Sequence, residues 1–291
     1  MKPSQFDYLC PRSIDEAVAA LAGADGEGKA IAGGQSLVPL MNLRLAAPAL
    51  IVDLNGVPGL ELIEADGGNL RVGALVRQRN LEQSVLARAV VPLLPAALRH
   101  VGHVATRNRG TVGGSIAHAD PAAELPLVLA TLGGSVLVFG PRGEREIAAA
   151  DLFLTHFTTL LEPDEIVCEV CFPETGIGWG SAFEEVAPRH GDYAIAMVAC
   201  ALRVEGGSVV EARIGAGAVA DVPLRLWAAE AALIGAPLDD GAAREAAALA
   251  AQAVDPTGGT HGSADYRRRL VEVLLQRALP QAFAAAIEGS R

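Results

Sequence analysis

Two short glycine pairs constrain this chain more than any other feature. Ala32-Gly33-Gly34-Gln35-Ser36 follows a short apolar run at Ala30 to Ala32, and Thr111-Val112-Gly113-Gly114-Ser115 follows Arg109-Gly110 much later in the sequence. Adjacent glycines let consecutive backbone N–H groups turn toward one point, which is how a loop cradles phosphate without basic side chains. Hydroxyls flank the second pair and add hydrogen bonds toward phosphate oxygens. Either pair alone reads as a tight turn, but two of them in separate lobes can clamp a diphosphate. The second loop runs on into IAHADPAAELP, so Asp120 and Glu124 lie nearby, where a carboxylate can hold ribityl or sugar hydroxyls.

Composition narrows the partners. The formal net charge is −11, which argues against a nucleic-acid or anionic-membrane binder held by bulk charge. Any anionic ligand is therefore held locally. The 4 cysteines, Cys10, Cys168, Cys171 and Cys200, are too scattered for a disulfide framework. The start MKPSQFDYLCPRSIDEA lacks the apolar core of a signal peptide. The expected place is the cytoplasm, with the inner face of the membrane as the further option. The longest uncharged stretch, Leu125 to Pro141, is interrupted by Gly133, Gly134 and Ser135, and no transmembrane segment is expected from it.

At 51% hydrophobic the chain can build full cores, and its patterns divide it into three parts. Residues 1–55 read as a small α/β lobe. Ser13-Ile14-Asp15-Glu16 has capping-box spacing ahead of a helix Ile14 to Ala22, and an apolar run, Leu50 to Leu54, ends the lobe. Residues 56–176 read as a second α/β lobe, with strands around Asp66-Gly67-Gly68, helical patterns from Leu81 to His100, and strand-like VLVFGPRGEREI and EIVCEVCFP. The turn-rich PETGIGWGS marks the boundary to a domain at 177–291. That domain reads as three antiparallel strands, Ala182 to Val186, Ala194 to Val204 and Val209 to Gly215, followed by three helices. In the last helix Tyr266, Leu270, Val273, Leu274 and Arg277 recur at helical spacing, and Arg267-Arg268-Arg269 reads as a solvated, partner-facing surface.

Other motifs give way on context. Gly215-Ala216-Gly217-Ala218-Val219-Ala220 satisfies a relaxed dinucleotide fingerprint, but no parallel βαβ unit surrounds it. Cys168-Glu169-Val170-Cys171 lies in an alternating strand, where residues three apart point to opposite faces, so both read as core cysteines. His100 with His103, or His118 with Asp120, supplies only two metal ligands each, and no metal site is expected. No nucleophile elbow, Walker A loop or H-E-x-x-H is present, and no catalytic acid, base or nucleophile is assigned.

AGGQSLVPLMNLR followed by RNRGTVGGSIAHADPAAELP resembles the FAD-binding medium subunit of the molybdenum hydroxylases, and is similar to the flavin domain of xanthine dehydrogenase. The resemblance takes in GDYAIA at Gly191 to Ala196 and the strands-then-helices tail. It implies an α+β chain: a two-lobed FAD-binding domain of the vanillyl-alcohol oxidase/PCMH type, plus a C-terminal domain with a three-stranded antiparallel sheet and a three-helix bundle. It also implies a non-covalent FAD. Ala32, Gly33, Gly34, Gln35 and Ser36, with Thr111, Gly113, Gly114 and Ser115, take the pyrophosphate, and Lys29 leads into the first loop. Val101 falls beside the adenine and Glu124 toward the ribityl chain. Val167 lines the pocket, Glu184 sits near the flavin edge, and Tyr193 lies against the isoalloxazine ring.

The same resemblance implies partners: a molybdenum-binding large subunit, a small subunit with 2Fe-2S clusters, and a dimer of such heterotrimers. The chain would then be an electron-transfer subunit, taking electrons from the clusters and passing them to an external acceptor. A stand-alone flavin oxidoreductase of the same fold and a cofactor-free assembly protein are the alternatives.

Overall fold

The computed structural model describes residues 2–289. The N-terminal lobe is a three-stranded parallel sheet with the order Asp7–Leu9, Leu50–Asp53, Gly28–Ile31. The helix Ile14–Gly23 covers it, burying Ala17, Val18 and Leu21 against Val52 and Leu54. Its start follows the capping-box spacing with one difference. Ser13 Oγ accepts from Glu16 N at 3.2 Å, but the Glu16 carboxylate reaches back to Arg12 N at 2.7 Å instead of Ser13 N. The short strand at Asp7–Leu9, absent from the sequence reading, pairs with the centre of the sheet and puts Tyr8 beside the first glycine loop.

The second lobe is a five-stranded antiparallel sheet in the order Ile63–Asp66, Asn69–Gly73, Ile166–Pro173, Ser135–Gly140, Gly143–Ala148. Its last strand in sequence is the middle one in space. The helical stretch from Leu81 to His100 is divided into parts of three short helices, Gln78–Gln83, Val85–Val90 and Leu93–Leu98. Ser84 ends one and caps the next, its hydroxyl accepting from Ala87 N at 3.1 Å, and Pro92 opens the third.

In the strand Ile166–Pro173 a bulge between Val167 and Glu169 breaks the alternation assumed from the sequence. Val167 joins Val170 and Phe172 in the main core, while Ile166 and Cys168 contact the smaller N-terminal core. The opposite-faces argument for Cys168 and Cys171 therefore fails. Burial pushes the Cys168 thiol up to about 11 and raises Cys171 as well, which leaves both as poorly reactive thiols.

The C-terminal sheet is antiparallel, Trp179–Val186, Ala196–Glu205, Ser208–Gly217 and a two-residue fourth strand, Leu224–Arg225. The first strand begins inside the stretch read as a linker. One face packs on the helix Glu124–Leu132 of the second lobe, the other on the helices Asp240–Ala253 and Ala264–Gly289. The glycines of the apparent dinucleotide fingerprint serve this packing. A Cβ on Gly215 would lie 2.1 Å from Thr131 Oγ1, and one on Gly217 2.3 Å from Met197 Cε.

The helix Ala264–Gly289 is long and apolar enough, by length and composition, to span a membrane. Here its apolar residues are core: Val271, Leu274, Leu275, Ala278 and Leu279 are buried under the sheet. The buried stripe thus differs from the one read through Tyr266, Val273 and Arg277. The basic cluster is divided as well, because Arg267 turns inward and donates to the carbonyls of Ile195 at 2.8 Å and Ala218 at 2.9 Å.

Candidate functional site

The two glycine loops meet. A Cβ on Gly33 would stand 2.2 Å from the Arg109 carbonyl oxygen and 2.9 Å from Gly110 Cα, so only glycine permits this approach. Gly34 has φ +70°, a left-handed turn that L side chains rarely adopt. On the other side of the seam a Cβ on Gly114 would lie 3.8 Å from Ala32 Cβ. A cleft of about 430 Å³ opens above, lined by Ala32 to Gln35, Arg109, Asp53 and Tyr8 among others.

The loops are not equivalent donors. The amides of Gly34, Gln35 and Ser36 donate to no acceptor among the described residues. The second loop spends its amides inward: Val112 N on Val76 O at 3.0 Å, Gly113 N on Ala74 O at 2.9 Å, Gly114 N on Thr111 Oγ1 at 3.1 Å. The two loops therefore differ: the first keeps N–H groups without a protein acceptor among the described residues, whereas the second uses its own inward and brings the Arg109 cation to the cleft.

A polar network that sequence reasoning missed ties the loops together. Asn55 Nδ2 donates to Ala32 O at 2.9 Å, and Arg77 donates to Asn55 Oδ1 at 2.6 Å and to Arg109 O at 2.7 Å. Asp53 accepts from Asn55 and from Tyr8 Oη, the latter at 2.5 Å. Burial works against the Asp53 charge, yet the Tyr8 and Asn55 hydrogen bonds hold its carboxyl below the usual carboxylate range, and the Tyr8 phenol is pushed up to about 12. A depressed carboxyl contributes stability above its unfolded pKa and loses it as pH falls through the folded one. Tyr8→Phe therefore brings that acid-side loss to higher pH. An NMR titration of the Asp53 carboxyl checks this, and an unchanged midpoint would contradict it.

A second cleft, about 420 Å³, lies between the second lobe and the C-terminal sheet, with Tyr193, Asp120, Ala122, Ile195 and Arg267 in its walls. Tyr193 is 73% exposed. Glu124, first residue of the helix Glu124–Leu132, is buried nearby, and burial followed by the Glu185 charge pushes it up to about 8.

The remaining expected residues are placed differently. Lys29 is exposed on Gly28–Ile31, one strand before the loop. Val101 is half-buried against the main core, at the turn held by Arg107, which donates to its carbonyl at 2.8 Å. Val167 is 5% exposed within that core, and Glu184 accepts from Gln281 Nε2 at 2.7 Å on the helix side of its strand. Of the expected residues only Ala32 to Gln35 and Tyr193 line a cleft; Lys29, Ser36, Val101, Thr111, Gly113 to Ser115, Glu124, Val167 and Glu184 line neither.

Comparison with known proteins gives this arrangement its class. A model described as the FAD binding domain in molybdopterin dehydrogenase matches residues 4–175, and one described as the CO dehydrogenase flavoprotein C-terminal domain matches residues 181–282. The chain belongs to the family of FAD-binding medium subunits of the molybdenum hydroxylases. Among its relatives, the 6-hydroxypseudooxynicotine dehydrogenase complex subunit alpha of Paenarthrobacter nicotinovorans is 41% identical over 97% of this chain and 96% of its own length. A chain of quinoline 2-oxidoreductase from Pseudomonas putida 86 superposes with TM-score 0.93 at 39% identity, covering 100% of both chains. A chain of carbon monoxide dehydrogenase from Hydrogenophaga pseudoflava gives 0.95 at 37% identity, over 98% of this chain and 99% of that one. The protein is an oxidoreductase subunit and its cofactor is FAD.

The residues present fit that cofactor. Gly34 and Gln35 line the cleft with amides that have no acceptor among the described residues, Arg109 lines it with a positive charge, and the Gly33–Arg109 approach that closes one side leaves no room for a Cβ.

Proposed function

We propose that this chain takes electrons from 2Fe-2S clusters in a partner small subunit and passes them to an external acceptor, while a molybdenum-binding large subunit oxidises the substrate. The observation that carries the reading is the meeting of the two glycine loops, with Gly33 seated on Arg109–Gly110. The naming of a relative as a subunit of a complex supports the partners. In this reading the assembly is a dimer of heterotrimers in the cytoplasm, or at the inner face of the membrane. Residues 1–55 and 56–176 form the two lobes of a vanillyl-alcohol oxidase/PCMH-type fold, and residues 177–291 the covering domain.

The FAD supplies exchange between one-electron and two-electron carriers. The chain's own residues bind and orient it. Gly34, Gln35 and Ser36 amides, with Ala32, Gly33 and the Ser115 hydroxyl, hold the pyrophosphate. Thr111 works indirectly, since its hydroxyl fixes Gly114 and so the shape of the second loop beside Gly113. Lys29 contributes charge ahead of the first loop, and Val101 closes the adenine end. Glu124 accepts or donates toward the ribityl hydroxyls, and Tyr193 lies on the ring. Val167 supports the site from the five-stranded sheet and Glu184 from the C-terminal sheet.

The test separates the half-reactions. In an assembled complex carrying Gly114→Asp, substrate still reduces the molybdenum centre, while delivery to the acceptor is lost along with the FAD. A variant complex that contains all subunits but no longer reduces its molybdenum centre would refute the division of labour.

A further inference from the structure

The walls of the second cleft carry one permanent cation. Among the described residues that line it, Arg267 is the only arginine or lysine. Its Nη1 donates to the carbonyls of Ile195 at 2.8 Å and Ala218 at 2.9 Å, and both of these residues line the same cleft. The guanidinium is thus fixed at the wall. Its Nε is buried and donates to nothing.

The two peptides that hold it are themselves held. Ile195 N donates to Val186 O at 2.7 Å and Ala218 N to Pro121 O at 2.8 Å, so one is tied to the C-terminal sheet and the other to the second lobe. Ala218 has φ +61°, a left-handed conformation that is costly for alanine, and it is kept where its carbonyl accepts from the cation.

The carboxylates nearby do not neutralise Arg267. Asp120, Asp192, Asp221 and Asp255 line the cleft, yet each has another partner. Asp120 accepts from Ala122 N at 2.9 Å, Asp192 pairs with Arg189 at 3.6 Å, Asp221 with His156 at 3.1 Å and Asp255 with Arg268 at 3.1 Å. Arg267 forms an ion pair with none of them. A guanidinium always carries its charge and has five N–H donors, of which the two carbonyls take two. Half-buried among carbonyl dipoles alone, this one is short of a negative partner.

The charge pattern selects the ligand. A free anion such as phosphate would meet one guanidinium and four carboxylates. A flat ring that sets carbonyl oxygens beside an N–H meets a donor at Arg267 and acceptors at the carboxylates, with the Tyr193 ring in the same cleft to stack on. The pyrimidine edge of a flavin has this chemistry. We propose that Arg267 binds the carbonyl edge of the flavin ring in the second cleft and so favours the negative charge that reduction places there. The inference rests on the reading above that the ring lies on Tyr193.

Lumiflavin, the flavin ring system without the phosphate-bearing chain, is titrated into the full chain without FAD, with binding read from its fluorescence. Tyr193→Ala is expected to weaken binding, Arg267→Gln to weaken it about ten-fold or more, and Arg267→Lys to recover most of the loss. A role confined to tying Ile195 and Ala218 together would leave the two Arg267 variants alike, because charge would not matter to it. Weaker binding in Tyr193→Ala with unchanged binding in Arg267→Gln overturns the inference and leaves the ring site standing. Unchanged binding in both, or none by the wild type, removes the ring from this cleft and overturns both. Phenazine, a flat tricycle with no carbonyl edge, needs no variant: the wild type is expected to bind it about ten-fold more weakly than lumiflavin, and equal binding overturns the inference. In the FAD-loaded chain the reduction midpoint is expected to fall in Arg267→Gln and to recover in Arg267→Lys. Equal midpoints in proteins that all retain FAD overturn the effect on reduction. A chain that binds lumiflavin but retains no FAD counts against the glycine loops alone, and the lumiflavin series still decides Arg267.

Discussion

Gly33→Ala abolishes FAD retention. The added methyl falls 2.2 Å from a backbone oxygen and 2.9 Å from a backbone carbon of the facing loop, and neither is the free end of a flexible side chain. One loop must withdraw. Asn55 and Arg77 bind a carbonyl on each loop, so the withdrawal strains the network that registers them. Overpacking of this kind costs about 1–3 kcal/mol, enough to open the clamp without unfolding the chain. Gly23→Ala is the matched control, because nothing lies within 4 Å of the new methyl and the position is helical. Flavin absorbance after desalting should vanish in the first variant and persist in the control. Equal retention in both would contradict the account of the loops.

The largest effect on stability is expected at Arg107. Its side chain is 6% exposed, and it satisfies Glu82, itself 11% exposed, together with the carbonyls of Val101 and Gly102. Arg107→Met leaves a buried carboxylate with only Arg79 and leaves two carbonyls without their donor. Breaking a buried pair from one side costs roughly 3–5 kcal/mol, because the partner's desolvation is no longer compensated. Arg107→Lys keeps the charge but loses the planar fork that reaches both groups, and should fall between the two. Denaturant unfolding measures both variants. A loss under about 1 kcal/mol in Arg107→Met would place this ion pair among those of little consequence.

What the sequence disclosed was local. The glycine pairs, the Ser13 cap and the hairpin around Asp66-Gly67-Gly68 depend on neighbours along the chain, and a turn or a cap needs no knowledge of the rest. The site's other half depends on distant segments. Tyr8, Asp53, Asn55 and Arg77 come from separate elements and meet only after the parallel sheet and the second lobe have formed. No spacing announces them. The central place of Ile166–Pro173 is likewise a matter of long-range pairing, and the bulge at Cys168 reverses a face assignment that strict alternation had made.

Carboxylates show the same limit in another form. Glu124 was legible as a residue near the second loop, but its burial and the presence of Glu185 across the seam were not, since the strand carrying Glu185 lies in a different domain of the sequence. Glu184 is expected near the flavin edge, and Glu185 has no role in the sequence reading. Alternation along the strand turns Glu184 to the C-terminal helix and Glu185 to the seam.

The measurement that bears most directly on the central claim is the identity and amount of chromophore released by acid from the full chain after incubation with FAD and desalting, read by mass spectrometry. Stoichiometric FAD is the expected result. A chain that releases none, alone or assembled with its partner subunits, would contradict the claim that these two loops hold the flavin.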